Sequence, residues 1–184
     1  AVGDGGTIIT SADGIKWTSR RSGTDKNLFA VAHGNNVFVA VGGDKDNSIM
    51  LISNDGTTWL PTAINYLCPI ASIAFGNGRF MASAGSGYLL TIVSTDGKNW
   101  QKVSHPSSSL VSLTYGNGRF IAVDWWAQPV SSPDGSTWDP PFHQRDYGFD
   151  FRSAGYGSGV YVAVGKNLLK TSNDGVHWNR VEGP

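Results

Sequence analysis

The chain has a single glutamate, Glu182, against thirteen aspartates, and a single cysteine, Cys68. A lone cysteine forms no intrachain disulfide and leaves the redox compartment open. With a lone glutamate near the C-terminus, a carboxylate pair of the kind glycosidases use would have to come from the aspartates, and none of these has a spacing that commends it. Charge is sparse too: Asp, Glu, Lys and Arg make up 15% of 184 residues and sum to zero. With no basic run, nucleic acid and anionic membrane surfaces are disfavoured as partners. No apolar run approaches the ~18 residues that span a bilayer, so membrane insertion is not expected. There is no signal peptide and no Asn-x-Ser/Thr sequon, and the chain opens mid-pattern at Ala1, as a processed or excised piece would. Localisation stays open on these grounds, with a secreted or cell-surface setting favoured.

Helical periodicity is also missing. What is present is 24 Gly with 7 Trp, 6 Tyr and 8 Phe at 40% hydrophobic content, the composition of a turn-dense, β-rich chain. The stretch "SADGIKW" (11–17) returns as "SNDGTTW" (53–59), "STDGKNW" (94–100), "SPDGSTW" (132–138) and "SNDGVHW" (172–178). The serines are 42, 41, 38 and 40 residues apart, and a period near 40 marks a repeat architecture. A second block lies upstream of each of the last four motifs: "NVFVAVGG" (36–43), "GRFMASAG" (78–85), "GRFIAVD" (118–124) and "GVYVAVG" (159–165). Before each block comes an apolar run closed by a glycine turn, as in "IASIAFGNG" (70–78).

Each repeat therefore reads as four short strands: a first strand, a hairpin, the "FVAVG" strand, a variable loop, a third strand, the Asp-Gly turn and a fourth strand begun by the motif Trp. Four antiparallel strands per ~40 residues is the unit of a propeller blade. The expected fold is all-β, a five-bladed β-propeller of four-stranded antiparallel blades in one domain, 1–184, with repeats ending near 20, 62, 103, 141 and 184. Five matches at near-constant spacing count against a two-sheet sandwich. The first blade lacks its innermost strand, because "AVGDGG" is only the tail of the common block. A seam with unpaired edges is expected there, completed by an oligomeric neighbour or an absent segment.

The motif resembles the Asp-box, or bacterial neuraminidase repeat (BNR), of Asp-box β-propellers, in a compact form one residue shorter than the usual S-x-D-x-G-x-x-W. The resemblance covers nearly the whole chain. It implies the fold more than the function, since such propellers include sialidases, other glycosidases, lectin-like modules and assembly factors of photosynthetic membranes. Read from the residues, the motif is structural. The serines (Ser11, Ser53, Ser94, Ser132, Ser172) and aspartates (Asp13, Asp55, Asp96, Asp134, Asp174) can bond backbone across a tight turn. The tryptophans (Trp17, Trp59, Trp100, Trp138, Trp178) can each bury ~150–250 Å² against the next blade. A calcium site would want six or more oxygens, and each turn supplies one carboxylate. No metal or other cofactor is expected.

Successive hairpins alternate between the two ends of a blade, so the repeated turns share one end and the variable loops the other. Binding is expected at the variable end. Candidate ligand-binding residues there are Tyr88, the "DWWAQP" stretch with Asp124, Trp125, Trp126 and Gln128, and the link residues His143, Arg145 and Tyr147. An adjacent Trp pair can offer one flat face to a sugar, or both can pack. No catalytic residue is assigned. The sialidase resemblance implies an Arg triad, a Tyr–Glu nucleophile pair and an Asp acid/base, and no Glu precedes Glu182. Enzyme activity is left undecided with the balance against it, no catalytic constellation being recognisable. The main reading is a non-catalytic, carbohydrate-binding (lectin-like) propeller. The alternatives are a protein-docking scaffold, whose partner is a polypeptide, and a sialidase-like glycoside hydrolase.

Overall fold

The computed structural model describes residues 1–64, 66–85, 88–104, 110–124, 129–139 and 150–181. These form five antiparallel sheets in chain order, the blades of a β-propeller. Sheet one holds β1 (Val2–Gly3), β2 (Thr7–Thr10) and β3 (Thr18–Arg20). Sheet two holds β4 (Leu28–Gly34), β5 (Val37–Asp44), β6 (Asn47–Ser53) and β7 (Leu60–Pro61). Sheet three holds β8 (Ile70–Gly76), β9 (Arg79–Ala84), β10 (Thr91–Ser94) and β11 (Gln101–Val103). Sheet four holds β12 (Ser112–Gly116), β13 (Arg119–Val123) and β14 (Val130–Ser132) among the described residues, with the Asp139 N–H already bonded to the Ser131 carbonyl at 2.9 Å. Sheet five holds β15 (Phe151–Gly157), β16 (Val160–Gly165), β17 (Leu168–Ser172) and β18 (Asn179–Arg180). Among the described residues sheet one has no counterpart of β4, β8, β12 or β15, so the first blade lacks its innermost strand there. Among the described residues no helix is long and apolar enough to cross a membrane.

Two-residue turns set the register of the inner hairpins. Asn35 and Asn36, Asn77 and Gly78, Asn117 and Gly118, and Ser158 and Gly159 all have positive φ. Paired positive φ matches the right-handed twist of the flanking strands and favours Asn and Gly. The asparagines have a second task. Asn35 Nδ2 donates to the carbonyls of Gly78 (2.9 Å) and Thr95 (2.8 Å), Asn77 Nδ2 to Pro133 (3.2 Å) and Asn117 Nδ2 to Asn173 (3.4 Å). Each turn is thereby tied to the next sheet, and the hairpin turns and motif turns share one end of the blades. An extra residue interrupts the pairing at the start of β4, β8 and β15 alike.

The core lies between sheets. Val37, Val39, Val41 and Met50 of sheet two pack on Ile70, Ile73, Phe80 and Ile92 of sheet three. Ala74, Met81 and Val93 of sheet three meet Leu113, Phe120 and Val130 of sheet four in the same way. At the centre of the three joints from sheet two to sheet five an aromatic ring of one inner strand covers a glycine on the inner strand of the sheet before it. A Cβ on Gly34 would fall 2.2 Å from the Phe75 ring; on Gly76, 2.0 Å from Tyr115; on Gly116, 2.1 Å from Tyr156. Only glycine leaves room for that approach. Each covering ring also meets the aromatic across its own hairpin, with centroids 4.7 Å apart for Phe75–Phe80, 4.9 Å for Tyr115–Phe120 and 4.6 Å for Tyr156–Tyr161.

The motif tryptophans pack backward, against the preceding sheet, which corrects the expectation that they bury against the next one. Trp59 belongs to the cluster that joins Ile8 of sheet one to sheet two, Trp100 to the one that joins Val37 and Val39 of sheet two to sheet three, and Trp178 to the one that joins Val123 of sheet four to sheet five; the turn glycines Gly97 and Gly175 lie over Val39 and Ile121 of the preceding sheet. The indole N–H explains the direction. It donates to the glycine carbonyl of its own turn at 3.1–3.2 Å in Trp17, Trp59, Trp100 and Trp178, which fixes the ring against the face that the turn covers. Trp17, in sheet one, is 50% exposed, against 8% for Trp59.

Within each motif the Asp Oδ1 accepts the N–H groups two and three residues on, at 2.7 and 2.8 Å for Asp55. The serine Oγ accepts the glycine N–H, 2.8 Å at Gly56, and donates to the carboxylate, 3.0 Å from Ser53 to Asp55. The N–H groups of Thr58 and Thr57 hold the Asp55 carboxyl down to about 2 from an ordinary 3.8. Those of Asn99 and Lys98 hold Asp96 lower still, and the His177 ring and N–H do so for Asp174. These are carboxylates committed to the backbone, and they are not poised as acids or bases.

Two outcomes follow from this packing and hydrogen bonding. Gly76→Ala should lower unfolding free energy by about 1–3 kcal/mol through overpacking, whereas Gly157→Ala, where nothing lies within 4 Å of the added Cβ, should stay within ~0.5 kcal/mol; urea titrations of both variants decide this. The motif carboxyls titrate lower in the folded chain than in the unfolded one, so their stabilisation is complete above about pH 4 and drains away as pH falls toward about 2. Melting curves from pH 2 to 7 should show that loss. Asp55→Asn should melt lower at neutral pH and show a shallower acid slope; an unchanged slope would count against the carboxylate's role.

Candidate functional site

The variable end of the blades begins where β5, β9, β13 and β16 stop. In sheet two the β5–β6 turn is drawn toward the preceding link by a Lys26–Asp44 ion pair. The Lys26 ammonium, with the Asp46 N–H, lowers the Asp44 carboxyl below its usual range. The link itself is stitched down at Asn27, whose carbonyl accepts the Gly43 N–H (2.9 Å) and whose Oδ1 accepts the Gly5 N–H (2.9 Å). That carbonyl would lie 2.0 Å from a Cβ on Gly42, and the Asp150 carbonyl would lie 2.1 Å from one on Gly165, so a glycine lets the link cross the sheet end. Sheet four has Asp124 at this position, with a buried side chain.

Between sheets two and three the links build a compact surface. Ser48 N–H and Oγ both donate to the Tyr66 carbonyl (3.1 and 3.2 Å), and Tyr88 OH donates to the Lys45 carbonyl (3.2 Å). Tyr66, Tyr88 and Ile64 pack on the core around buried Cys68 and Leu90. Burial pushes both the Tyr66 hydroxyl and the Cys68 thiol up, so neither is an activated nucleophile. The residues next to these tyrosines point out instead: Leu67 and Leu89 are 76% and 68% exposed. Each exposed leucine thus follows a half-buried tyrosine that is bonded to the β5–β6 turn or the strand after it, Tyr66 through Ser48 and Tyr88 through Lys45.

Of the residues picked from the sequence, Tyr88 is thus on this surface with its hydroxyl already used to bridge two loops, and Asp124 is buried at the end of β13. Trp125, Trp126, Gln128, His143, Arg145 and Tyr147 lie outside the described residues. Leu67 and Leu89 were missed. Each is a single aliphatic residue inside a non-repeating link, and nothing in the local pattern distinguishes it from a residue facing the core. Among the described residues no group of three or more His, Cys, Asp or Glu side chains is placed to hold a metal ion. His33 stacks on Phe38 with centroids 4.2 Å apart, and His177 Nδ1 bonds Asp174 at 2.7 Å.

No protein-family model and no curated protein matches the chain. Solved structures do. YCF48 bound to D1 peptide aligns with a TM-score of 0.69 and 21% identity, over 97% of this chain and 62% of that one. A catalytically inactive virginiamycin B lyase from Staphylococcus aureus with quinupristin aligns at 0.72 and 10%, over 98% and 67%. The nidogen/laminin complex aligns at 0.66 and 13%, over 91% and 69%. The chain spans about three-fifths of the length of that YCF48 chain. At these identities the likeness is one of fold, and the chain is a β-propeller.

Proposed function

We propose that this chain is a non-catalytic propeller scaffold that holds a polypeptide partner on its variable-loop end. The observation that carries the reading is the pair of exposed leucines, Leu67 and Leu89, set beside tyrosines anchored in the core. Aliphatic side chains held in water by a rigid support are the make-up of a protein interface. A sugar is gripped by flat rings and neutral hydrogen-bonding groups, which branched aliphatic side chains do not supply. Two of the fold neighbours, YCF48 with D1 peptide and nidogen with laminin, hold polypeptides, which supports the same class of partner here. The motif aspartates, bound to backbone N–H groups, supply no free acid/base pair. Carbohydrate binding rests on Trp125 and Trp126 and is the competing outcome.

Selection from a displayed random-peptide library and a glycan array, both run on the same chain, separates the two. The expected result is a family of apolar peptides whose binding weakens at least tenfold in the Leu67→Asp/Leu89→Asp double variant and is unchanged by Lys98→Ala at the opposite end. Glycan binding with no peptide selected would overturn the proposal.

A further inference from the structure

The strand after each inner hairpin turn begins with a residue whose chemistry differs from sheet to sheet. It is Val37 in sheet two, Arg79 in sheet three, Arg119 in sheet four and Val160 in sheet five. Two sheets do without a charge there, so the fold itself does not require a cation at this place. Where a guanidinium is present, sheets three and four treat it differently. In sheet four Arg119 Nη2 donates to the Ser131 Oγ at 3.2 Å and to the Asp139 carboxylate, which also accepts the Ser131 hydroxyl. Cation and counter-ion form one partly buried set.

The register of sheet three identifies the corresponding residues. Val93 pairs with Met81 and Gln101, as Ser131 pairs with Ile121 and accepts the Asp139 N–H through its carbonyl. Val93 and Gln101 therefore stand where sheet four has Ser131 and Asp139. An alkyl group and a neutral amide replace the hydroxyl and the carboxylate. Among the described residues Arg79 has one hydrogen bond, from Nη1 to the Asp134 carbonyl of sheet four at 3.1 Å, and no carboxylate partner. The carboxylates of the adjoining motif turns are committed to their own backbone. Asp96 accepts the Lys98 and Asn99 N–H groups, both at 2.8 Å, and Asp134 those of Ser136 and Thr137, at 2.8 and 2.6 Å.

Arg79 is half-buried and lines a cavity of about 310 Å³, a volume at the small end of the ~300–1,000 Å³ of ligand pockets. Val93 and Trp100 give the cavity an apolar wall. Thr95 and Gln101 bring to it a hydroxyl and an amide that hold no hydrogen-bond partner among the described residues. A guanidinium with one neutral acceptor keeps donors in the fork geometry that a carboxylate matches two at a time. We propose that this cavity binds a small organic carboxylate. Its carboxylate takes against Arg79 the place that Asp139 holds against Arg119, and its body lies along Val93 and Trp100. The site is at the hairpin-turn end, opposite the variable loops, so it stands apart from the polypeptide partner proposed above.

The probe is benzoate, titrated into the full chain and read by NMR on the indole N–H signal of Trp100, which Trp100→Phe assigns. A saturable shift with a dissociation constant on the order of 1 mM is expected, at least tenfold weaker for the neutral isostere benzamide and in Arg79→Gln. Gln101→Asp keeps Arg79 and offers it the carboxylate that sheet four has. That variant should bind benzoate at least tenfold more weakly and melt higher than the parent chain. Leu67→Asp/Leu89→Asp should leave binding unchanged. The peptide acetyl-Gly-Gly-Phe, with its carboxylate at the end of a chain, should bind more weakly than benzoate; tighter binding would overturn the assignment to a small free acid. No shift with benzoate, an equal response to benzamide, or undiminished binding in Gln101→Asp would overturn the site.

Discussion

The three joints from sheet two to sheet five each turn on a ring laid over a backbone that has no side chain. Phe75 on Gly34, Tyr115 on Gly76 and Tyr156 on Gly116 bring the inner strands closer than any Cβ would permit. That approach sets how near successive sheets lie, and so what fills the space around it: Val and Ile from the second strands, Met50 and Met81, and the motif tryptophan from behind. The Asn side chains in the hairpin turns and the Ser hydroxyls on the inner strands bond across the same gap, at distances that hold only while the ring stays seated. The joint is one unit of packing and hydrogen bonding, repeated with small substitutions.

Much of this was legible in the sequence, and the reason is the repetition. The recurrence of Ser-x-Asp-Gly-x-x-Trp gave the blade count, and the Asn-Gly pairs gave the hairpins, because both are local chemistry that acts within a few residues. The missing inner strand of the first blade was legible for the same reason. The glycine under the ring was not. Gly76 and Tyr115 lie 39 positions apart, and only the stacking of one sheet on the next makes them partners. The direction of the tryptophans was misread on similar grounds, since a seven-residue motif does not say which side of its sheet will be covered.

The candidate site shows the opposite balance. Repetition identified the end of the blades where loops vary, and there it stopped helping, since a loop that occurs once has nothing to be aligned with. Tyr88 was noticed because aromatics are conspicuous, and its hydroxyl turned out to hold two loops together. Leu67 and Leu89 drew no notice, because an aliphatic residue in a link has the same chemistry whether it faces inward or outward. Exposure is a property of the whole array, settled by where Tyr66 and Tyr88 insert.

The backward reach of the aromatics gives the array a direction. Phe75, Tyr115, Tyr156 and the tryptophans from Trp59 onward each land on a surface built by residues earlier in the chain. As the chain leaves a ribosome, at ~5–20 residues per second, every new sheet finds its seat already made and needs nothing that has yet to be synthesised. Assembly can therefore advance like a zip, one tooth per repeat, with each closed joint shielding the apolar face that the previous repeat had left in water.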